Sequence, residues 1–122
     1  LYSLTHELER ALHRQVWLPS GAYLVIDPTE ALTVIDVNSG KNIKKKSREE
    51  LVFSVNVEAA HEIARQLILR NISGICIIDF IDMKEKEHRE ELMHILQREG
   101  GDLDLGKAPS GQILQYVARE SV

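Results

Sequence analysis

A-L-T-V-I-D-V-N-S-G, residues 31–40, is a run of β-strand formers that an acid and an amide interrupt. Asp36 follows apolar residues that are typical of a buried strand. A charged carboxylate costs several kcal/mol to bury unless it is paired, hydrogen-bonded or bound to a metal ion. The same situation recurs at Asp79, in the stretch G-I-C-I-I-D-F. These two aspartates therefore guide the interpretation of the rest of the chain.

The composition is that of one globular domain. With 122 residues, of which 43% are hydrophobic and 28% charged, the chain is long enough for a single modest core. Its longest apolar runs are too short to cross a bilayer, so we expect no membrane span. The single Cys76 excludes an internal disulfide framework, and no secretory signal pattern opens the sequence. These features predict a cytoplasmic protein with a single domain over residues 1–122.

The charge is modest overall but unevenly distributed. The formal net charge of −4 argues against a surface that holds nucleic acid through bulk positive charge. Basic residues are nevertheless concentrated within residues 41–48. Such a run is most often a solvated loop, and a role in contacting phosphate groups, with Lys41 and Lys44 as candidates, is the alternative interpretation.

The first half of the chain predicts a helix followed by a β-hairpin. Apolar residues recur at helical spacing over residues 3–14. Residues 23–27 and 31–37 are strand-like runs separated by a proline and a tight connection, which predicts an antiparallel pair. Residues 41–52 are polar without clear periodicity, and they are interpreted as a loop.

The second half of the chain alternates helix and strand. A helix is predicted to start at Asn56 as its N-cap, with Glu58 at the positive end of the helix dipole. Residues 75–80 are apolar without alternation, which is typical of a central and often parallel strand covered by helices on one or both sides. A second helix is predicted over residues 82–99, where a capping box opens it.

This order of elements predicts an α/β fold with a mixed sheet, in which a β-α-β unit is flanked by helices. The crossover of that unit should be right-handed. The tail, residues 100–122, contains turn residues and one short apolar element over residues 113–118. Periodicity leaves both helix and strand open for that element.

The two aspartates are the strongest candidates for a functional site. If their strands are parallel neighbours, the carboxylates of Asp36 and Asp79 lie about 5 Å apart at the strand ends where α/β sheets place their ligands. Two such carboxylates repel unless they share a cation or a proton, and hard oxygen ligands favour Mg²⁺ or Mn²⁺. The alternative, that each aspartate caps a neighbouring turn through backbone N–H groups, stays open.

Three further residues have two interpretations each. The amide of Asn38, on the same side as Asp36, either hydrogen-bonds a water or phosphate at the metal or forms the turn before Gly40. Asp82 is interpreted first as a helix cap and second as a residue that assists the metal ligands. Arg70 suits the negative end of a helix dipole, and binding of phosphate is its alternative role.

Patterns for other chemistries are missing from the sequence. The 5 histidines include no H-x-x-x-H pair, which disfavours a zinc site. No serine or cysteine lies in a nucleophile elbow, and glycine-rich dinucleotide and Walker-type loops do not occur. Two interpretations therefore remain: metal-assisted attack by water, or no catalytic chemistry.

Four sequence blocks resemble the catalytic core of the ribonuclease E/G family of bacterial endoribonucleases. The blocks are L-E-R-A-L-H-R-Q-V-W-L-P-S-G, Y-L-V-I-D-P-T-E-A-L-T-V-I-D-V-N-S-G, N-V-E-A-A-H-E-I-A-R-Q-L-I-L-R-N-I-S-G and I-C-I-I-D-F-I-D-M. They run with few gaps over residues 8–83, and weaker similarity continues to Arg98. The motifs D-x-N and I-D-F-I-D-M stand in the order and at the spacing of the family.

The resemblance implies a DNase I-like subdomain that cuts single-stranded RNA. The family's Mg²⁺ ligands correspond to Asp36 and Asp79, with Mn²⁺ as a substitute metal. Asn38 would orient the attacking water or the scissile phosphate, and Arg70 would contact the substrate. Hydrolysis by in-line attack of metal-activated water would leave a 5′-phosphate and a 3′-hydroxyl.

The sequence also departs from the family pattern. The tail from Gly100 diverges, and the cysteine pair that links family members through zinc does not occur in these 122 residues. Homo-oligomerisation is therefore expected, if at all, without a zinc link. The oligonucleotide-binding domain and the 5′-end sensor of full-length members are not present either, so we expect a fragment or a reduced form.

Three hypotheses follow. The first is an active Mg²⁺-dependent endoribonuclease core. The second is a truncated RNA-binding or interaction module without independent activity. The third is a structural α/β fragment with capped turns and no site.

Overall fold

The computed structural model describes residues 14–29, 32–40, 48–72 and 74–100, together with the backbone of residues 114–116. The predicted helix over residues 3–14 lies outside these ranges except for Arg14. Lys41 and Lys44 also lie outside them.

A five-stranded mixed sheet forms one layer of the fold. Its strands neighbour one another in sequence order: β1 (Gln15–Trp17), β2 (Tyr23–Pro28), β3 (Leu32–Asn38), β4 (Ile75–Asp79) and β5 (Leu114–Tyr116). Strands β3 and β4 are parallel, and all other neighbours are antiparallel. The predicted α/β class, the hairpin and the β-α-β unit are confirmed. The apolar element of the tail, for which the sequence allowed helix or strand, contains a strand.

Burial alternates along the strands, so the sheet has two different faces. In β3, Thr33, Ile35 and Val37 are buried, whereas the residues between them are half-buried. Because side chains alternate across a strand, one face packs on the core and the other, here called the open face, carries the half-buried residues. Strand β4 follows the same pattern, with Cys76 and Ile78 in the core.

The helix of the β-α-β unit starts earlier than predicted. Helix α1 spans Arg48–Leu69, so the end of the predicted 41–52 loop is helical and Asn56 is not an N-cap. Glu49 and Glu50 occupy the first turn, where they complement the helix dipole. At 22 residues, α1 is about 33 Å long and covers the core face of the sheet.

Helix α2 spans Lys86–Gly100, so the predicted start at Asp82 is also wrong. The residues before it make hydrogen bonds with α1 instead: the Lys84 N–H, for example, donates to Glu49 Oε1 at 3.1 Å. Since their backbone groups have partners there, a helical turn is not needed to satisfy them. The guanidinium of Arg89 donates to the carbonyls of Met83 and Lys84 at 2.7 and 3.0 Å.

One hydrophobic core lies between the sheet and the two helices. Leu92, Ile95 and Leu96 of α2 belong to this core. The largest fully buried side chains include Leu24, Ile26, Ile35, Ile63, Leu67, Ile78, Leu92 and Leu96.

Neither α1 nor α2, the helices within the described ranges, combines the length and the apolar character that a membrane span requires.

Candidate metal and substrate site

The parallel ladder between β3 and β4 pairs the two aspartates. Asp36 and Asp79 are register partners, and both lie on the open face among the half-buried residues. Neighbouring strands are about 4.8 Å apart, so the two carboxylates are within reach of one ion. Asp79 is the last residue of β4, and Asp36 lies two residues before the end of β3. The structure therefore brings together the two residues that the sequence singled out as metal ligands.

The electrostatic environment of this pair favours a bound cation or proton. Burial raises the pKa of the Asp79 carboxyl, and the negative charge of Asp36 raises it further. Among the described residues, neither carboxylate takes part in an ion pair. The charged form of the pair therefore carries an electrostatic cost that a cation would remove.

Asn38 lies on the same face, two residues along β3 from Asp36. It is the last residue of the strand, is half-buried and is the register partner of Tyr23. Because residues i and i+2 of a strand point to the same side, its amide is directed to the side that carries the carboxylate pair. Asn38 is thus in the ladder, and the turn begins after it.

The other predicted site residues are less close to the pair. Asp82 is exposed, three residues beyond Asp79, and does not cap a helix. Arg70 follows the last residue of α1 and precedes β4, whereas Asp79 ends β4. Arg70 therefore lies towards the opposite end of that strand, on the side of the helix layer. Lys41 and Lys44 are outside the described residues.

Arg70 has a local role that the sequence did not indicate. Its Nε donates to Gln66 Oε1 at 2.8 Å, and Gln66 Nε2 donates to Glu62 Oε2 at 2.7 Å. Burial lowers the pKa of the Arg70 guanidinium. This chain of hydrogen bonds fixes the end of α1 where it leads into β4.

Asn56 was missed as a residue that supports the site. It is fully buried on the core side of α1, and its side-chain amide bonds the backbone of Ile81, two residues after Asp79. The signal in the sequence is its position on the apolar face of a helix, between Val52 and Ala59, because a buried amide there needs a partner.

The aromatic groove, a second missed feature, borders Asn38 on the open face. This groove has a volume of about 670 Å³ and is lined by Gln15, Trp17, Gly21, Tyr23, Asn38, Ser39 and Gly40. The side chain of Trp17 is 65% exposed. Its ring centroid lies 4.9 Å from that of Tyr23, at an interplanar angle of 52°.

Two turns in close contact form one end of the aromatic groove. Gly40, with a φ of +74°, packs on the backbone of Gly21, and a Cβ at Gly40 would lie 2.8 Å from the Gly21 carbonyl oxygen. The Ser20 N–H and hydroxyl both donate to the carboxylate of Glu58. Glu58 lies in the middle of α1, so its predicted role at the helix N-terminus is wrong. It holds the β1–β2 turn instead.

The described histidines belong to the helix layer. His61 Nδ1 lies 2.5 Å from Glu99 Oε1 and connects α1 to α2. The His88 ring stacks on Phe53 with centroids 4.2 Å apart, and its Nδ1 lies 3.7 Å from Glu49 Oε2. Within the ranges that the structure describes, no group of three or more His, Cys, Asp or Glu side chains is arranged to hold a metal ion.

Comparison with known proteins identifies the family. The model of the Ribonuclease E/G family matches residues 1–103. Ribonuclease G of Salmonella typhimurium (strain SL1344) is 48% identical over 98 residues, and Ribonuclease G of Escherichia coli (strain K12) is 47% identical over 98 residues. Each match covers 80% of this chain and 20% of the relative. Ribonuclease E of Nostoc sp. (strain PCC 7120 / SAG 25.82 / UTEX 2576) is 47% identical over 107 residues, which are 88% of this chain and 15% of that protein.

The chain thus spans about a fifth or less of the length of these relatives. The family match includes both aspartates and Asn38. This protein belongs to the Ribonuclease E/G family.

Proposed function

We propose that this chain is a metal-dependent endoribonuclease core that hydrolyses phosphodiesters of single-stranded RNA, leaving 5′-phosphate and 3′-hydroxyl ends. The observation that carries the proposal is the pairing of Asp36 with Asp79 on the open face of the sheet. Family membership supports the reaction class. A cytoplasmic location, predicted from the single cysteine, agrees with RNA processing and decay.

The residues fit a hydrated Mg²⁺ ion, with Mn²⁺ as a substitute. Asp36 and Asp79 supply hard oxygen ligands from neighbouring strands, and burial, together with the negative charge of Asp36, raises the pKa of Asp79. Mg²⁺ characteristically binds through one or two carboxylates and completes its coordination with water and substrate phosphate. The pair alone is therefore sufficient protein ligation for this metal.

Each residue of the site has a distinct part in the proposed reaction. When bound, Mg²⁺ supplies an activated water and neutralises charge on the phosphate. Asp36 and Asp79 would hold the cation, from two strands whose register is fixed by the ladder. Asn38 donates a hydrogen bond from its amide to the scissile phosphate or orients the attacking water. Asp82 would assist these ligands, and Lys41 and Lys44 would contact the RNA strand. Arg70, towards the other end of β4, would contact the strand farther from the metal.

Cleavage of a 5′-monophosphorylated single-stranded RNA in Mg²⁺ tests the proposal. Wild type should cleave, EDTA should stop the reaction, and Asp79→Asn should lower the rate by at least about a hundredfold, since even residues that only support metal ligands cost about 10–100-fold when they are lost. Mn²⁺ binding, followed by electron paramagnetic resonance, should weaken in the same variant. This second readout does not depend on turnover.

Asp27→Asn is the matched control. Asp27 lies on the same face of the sheet but is paired with Arg14, so its loss should leave Mn²⁺ binding and cleavage close to wild type. Equal Mn²⁺ affinity for wild type and for folded Asp79→Asn would refute the metal site.

The second candidate function is an RNA-binding module without independent activity. The aromatic groove favours it, because that feature lies outside the carboxylate pair. This alternative predicts RNA binding that weakens with salt, no cleavage in Mg²⁺, and an unchanged affinity for RNA in Asp79→Asn.

A further inference from the structure

The aromatic groove lies directly beside the proposed site. Trp17 and Tyr23 are register partners, and so are Tyr23 and Asn38, so the three side chains form a row across the open face. Asp36 and Asp79 belong to the adjacent row. With about 4.8 Å between strands and about 3.3 Å per residue, the Cα atoms of Trp17 and Asp36 are about 12 Å apart. A few nucleotides of single strand span that distance.

The exposure of Trp17 needs an explanation. Trp17, the only tryptophan of the sequence, is 65% exposed, although its large apolar ring would gain from burial. The contact with Tyr23 restrains the indole, so a ligand that stacks on it loses little side-chain freedom. The Gly21–Gly40 contact and the Ser20–Glu58 hydrogen bonds fix the turns beside it. The groove is thus preformed.

We propose that the aromatic groove is a stacking subsite in which Trp17, supported by Tyr23, receives a base of the single-stranded RNA whose phosphate lies at Asp36 and Asp79. This inference rests on the proposed function for its ligand class. Stacking between a base and an aromatic side chain tolerates any sequence, because every base has a π-face.

The composition of the groove favours a nucleic-acid strand as occupant. Its wall combines the two aromatic rings with the amides of Gln15 and Asn38 and the hydroxyl of Ser39, groups that hydrogen-bond base edges, sugars and phosphates. It is also continuous with the carboxylate pair through Asn38. Occupation of this face by a protein instead of RNA is an outcome that the binding experiments distinguish.

Intrinsic fluorescence gives a direct readout, because Trp17 is the single tryptophan. Titration of the chain with a single-stranded RNA oligonucleotide in EDTA, where the proposed reaction cannot proceed, should quench or shift its emission in a saturable way. The same titration with an oligonucleotide that carries an abasic nucleotide at successive positions should reveal one position at which the fluorescence change is lost.

Affinity measurements by fluorescence anisotropy of a labelled RNA complete the test. Trp17→Ala should weaken binding about tenfold, Trp17→Phe should keep most of the affinity, and Trp17→Ala should no longer distinguish the abasic position. Ile68→Ala is the matched control, since Ile68 is 60% exposed on the helix layer and should bind like wild type.

The outcomes separate this inference from the proposed function. Cleavage in Mg²⁺ without a fluorescence change, or with Trp17→Ala binding RNA as tightly as wild type, overturns the subsite and leaves the nuclease proposal standing. A fluorescence change with abasic dependence but no cleavage supports the subsite and removes the nuclease. No binding of RNA, or self-association that Trp17→Ala abolishes while RNA affinity is unchanged, overturns the subsite.

Discussion

The side chain of Asn56 forms two hydrogen bonds with the backbone of Ile81: Nδ2 donates to the carbonyl at 2.9 Å, and the Ile81 N–H donates to Oδ1 at 3.1 Å. The amide thereby makes the pair of hydrogen bonds that the backbone of a neighbouring strand would make. Because Ile81 lies two residues after Asp79, helix α1 directs the chain as it leaves the carboxylate pair. The site on one face of the sheet thus depends on a contact made on the helix side.

Asn56→Ala should destabilise the fold by about 2–3 kcal/mol, because it leaves two backbone groups of Ile81 without partners in a buried environment. Urea denaturation measures the change. Ser54→Ala, at an exposed position of the same helix, is the control and should stay within about 0.5 kcal/mol of wild type. Equal losses in the two variants would contradict the role of the amide.

Asp79→Asn should raise thermal stability at neutral pH in EDTA. The pKa of Asp79 is raised in the fold above its ordinary value of 3.8, so the folded state disfavours its charged form. The stability that this carboxyl contributes is greatest below 3.8, falls as the pH rises from there to the raised pKa, and stays low above it. Removal of the charge should increase the melting temperature by about 1–3 °C at neutral pH and have no effect in acid.

Asp27→Asn should change stability in the opposite direction. Hydrogen bonding to Arg14 lowers the pKa of Asp27, so its contribution is present above pH 3.8 and is lost as the pH falls through the lowered pKa. Melting temperatures of the two variants should therefore differ from wild type with opposite signs at neutral pH, and both differences should disappear as the pH falls through the pKa of each carboxyl. A stabilised Asp27→Asn would show that the Arg14 contact does not persist in solution.

Gly40→Ala should cost more stability than Gly21→Ala. Both glycines have positive φ, +74° at Gly40 and +95° at Gly21, so both variants carry backbone strain of about 1 kcal/mol. Only Gly40 also approaches another backbone group closely, because its Cβ would lie 2.8 Å from the Gly21 carbonyl oxygen. We expect about 2–3 kcal/mol for Gly40→Ala by chemical denaturation, and similar losses at both positions would contradict this packing.

Cys76 should resist thiol reagents in the native protein. The side chain is fully buried in β4, and burial raises the pKa of its thiol to about 12. Since the thiolate is the nucleophile, labelling by a maleimide at neutral pH should be at least about a hundredfold slower in buffer than in urea. Labelling in buffer at the rate of a free thiol would show that β4 opens readily.

The sheet and the carboxylate pair could be predicted because the sequence signals for them are local. Runs of apolar β-formers end at Asp36 and at Asp79, and the helix between these two runs favours parallel pairing, which places the two aspartates at the same level. The first helix was placed too late because Asn56 looks like an N-cap. Its partner, Ile81, is 25 residues away, and only the tertiary structure shows that the amide is bonded there.

The helix start at Asp82 failed for the same physical reason. Asp82 and Glu85 match a capping box locally, but hydrogen bonds from Lys84 and Ile81 to α1 outweigh that preference. The aromatic groove could not be predicted either, because it forms where the β1–β2 turn meets the end of β3. The sequence around Trp17 does not indicate that its ring stays exposed to solvent.

The parallel ladder also has a consequence for the accuracy of folding. A shift of β4 by one residue would turn Asp79 into the core and bring Cys76 and Ile78 out to the open face, because alternate residues face opposite sides. Only this alignment therefore places the two carboxylates side by side on the open face, where the proposed Mg²⁺ would bind. A cation bound to that alignment alone would add to its stability in proportion to the logarithm of the cation concentration. Magnesium in the cell would therefore favour the native register of β3 and β4 over shifted registers.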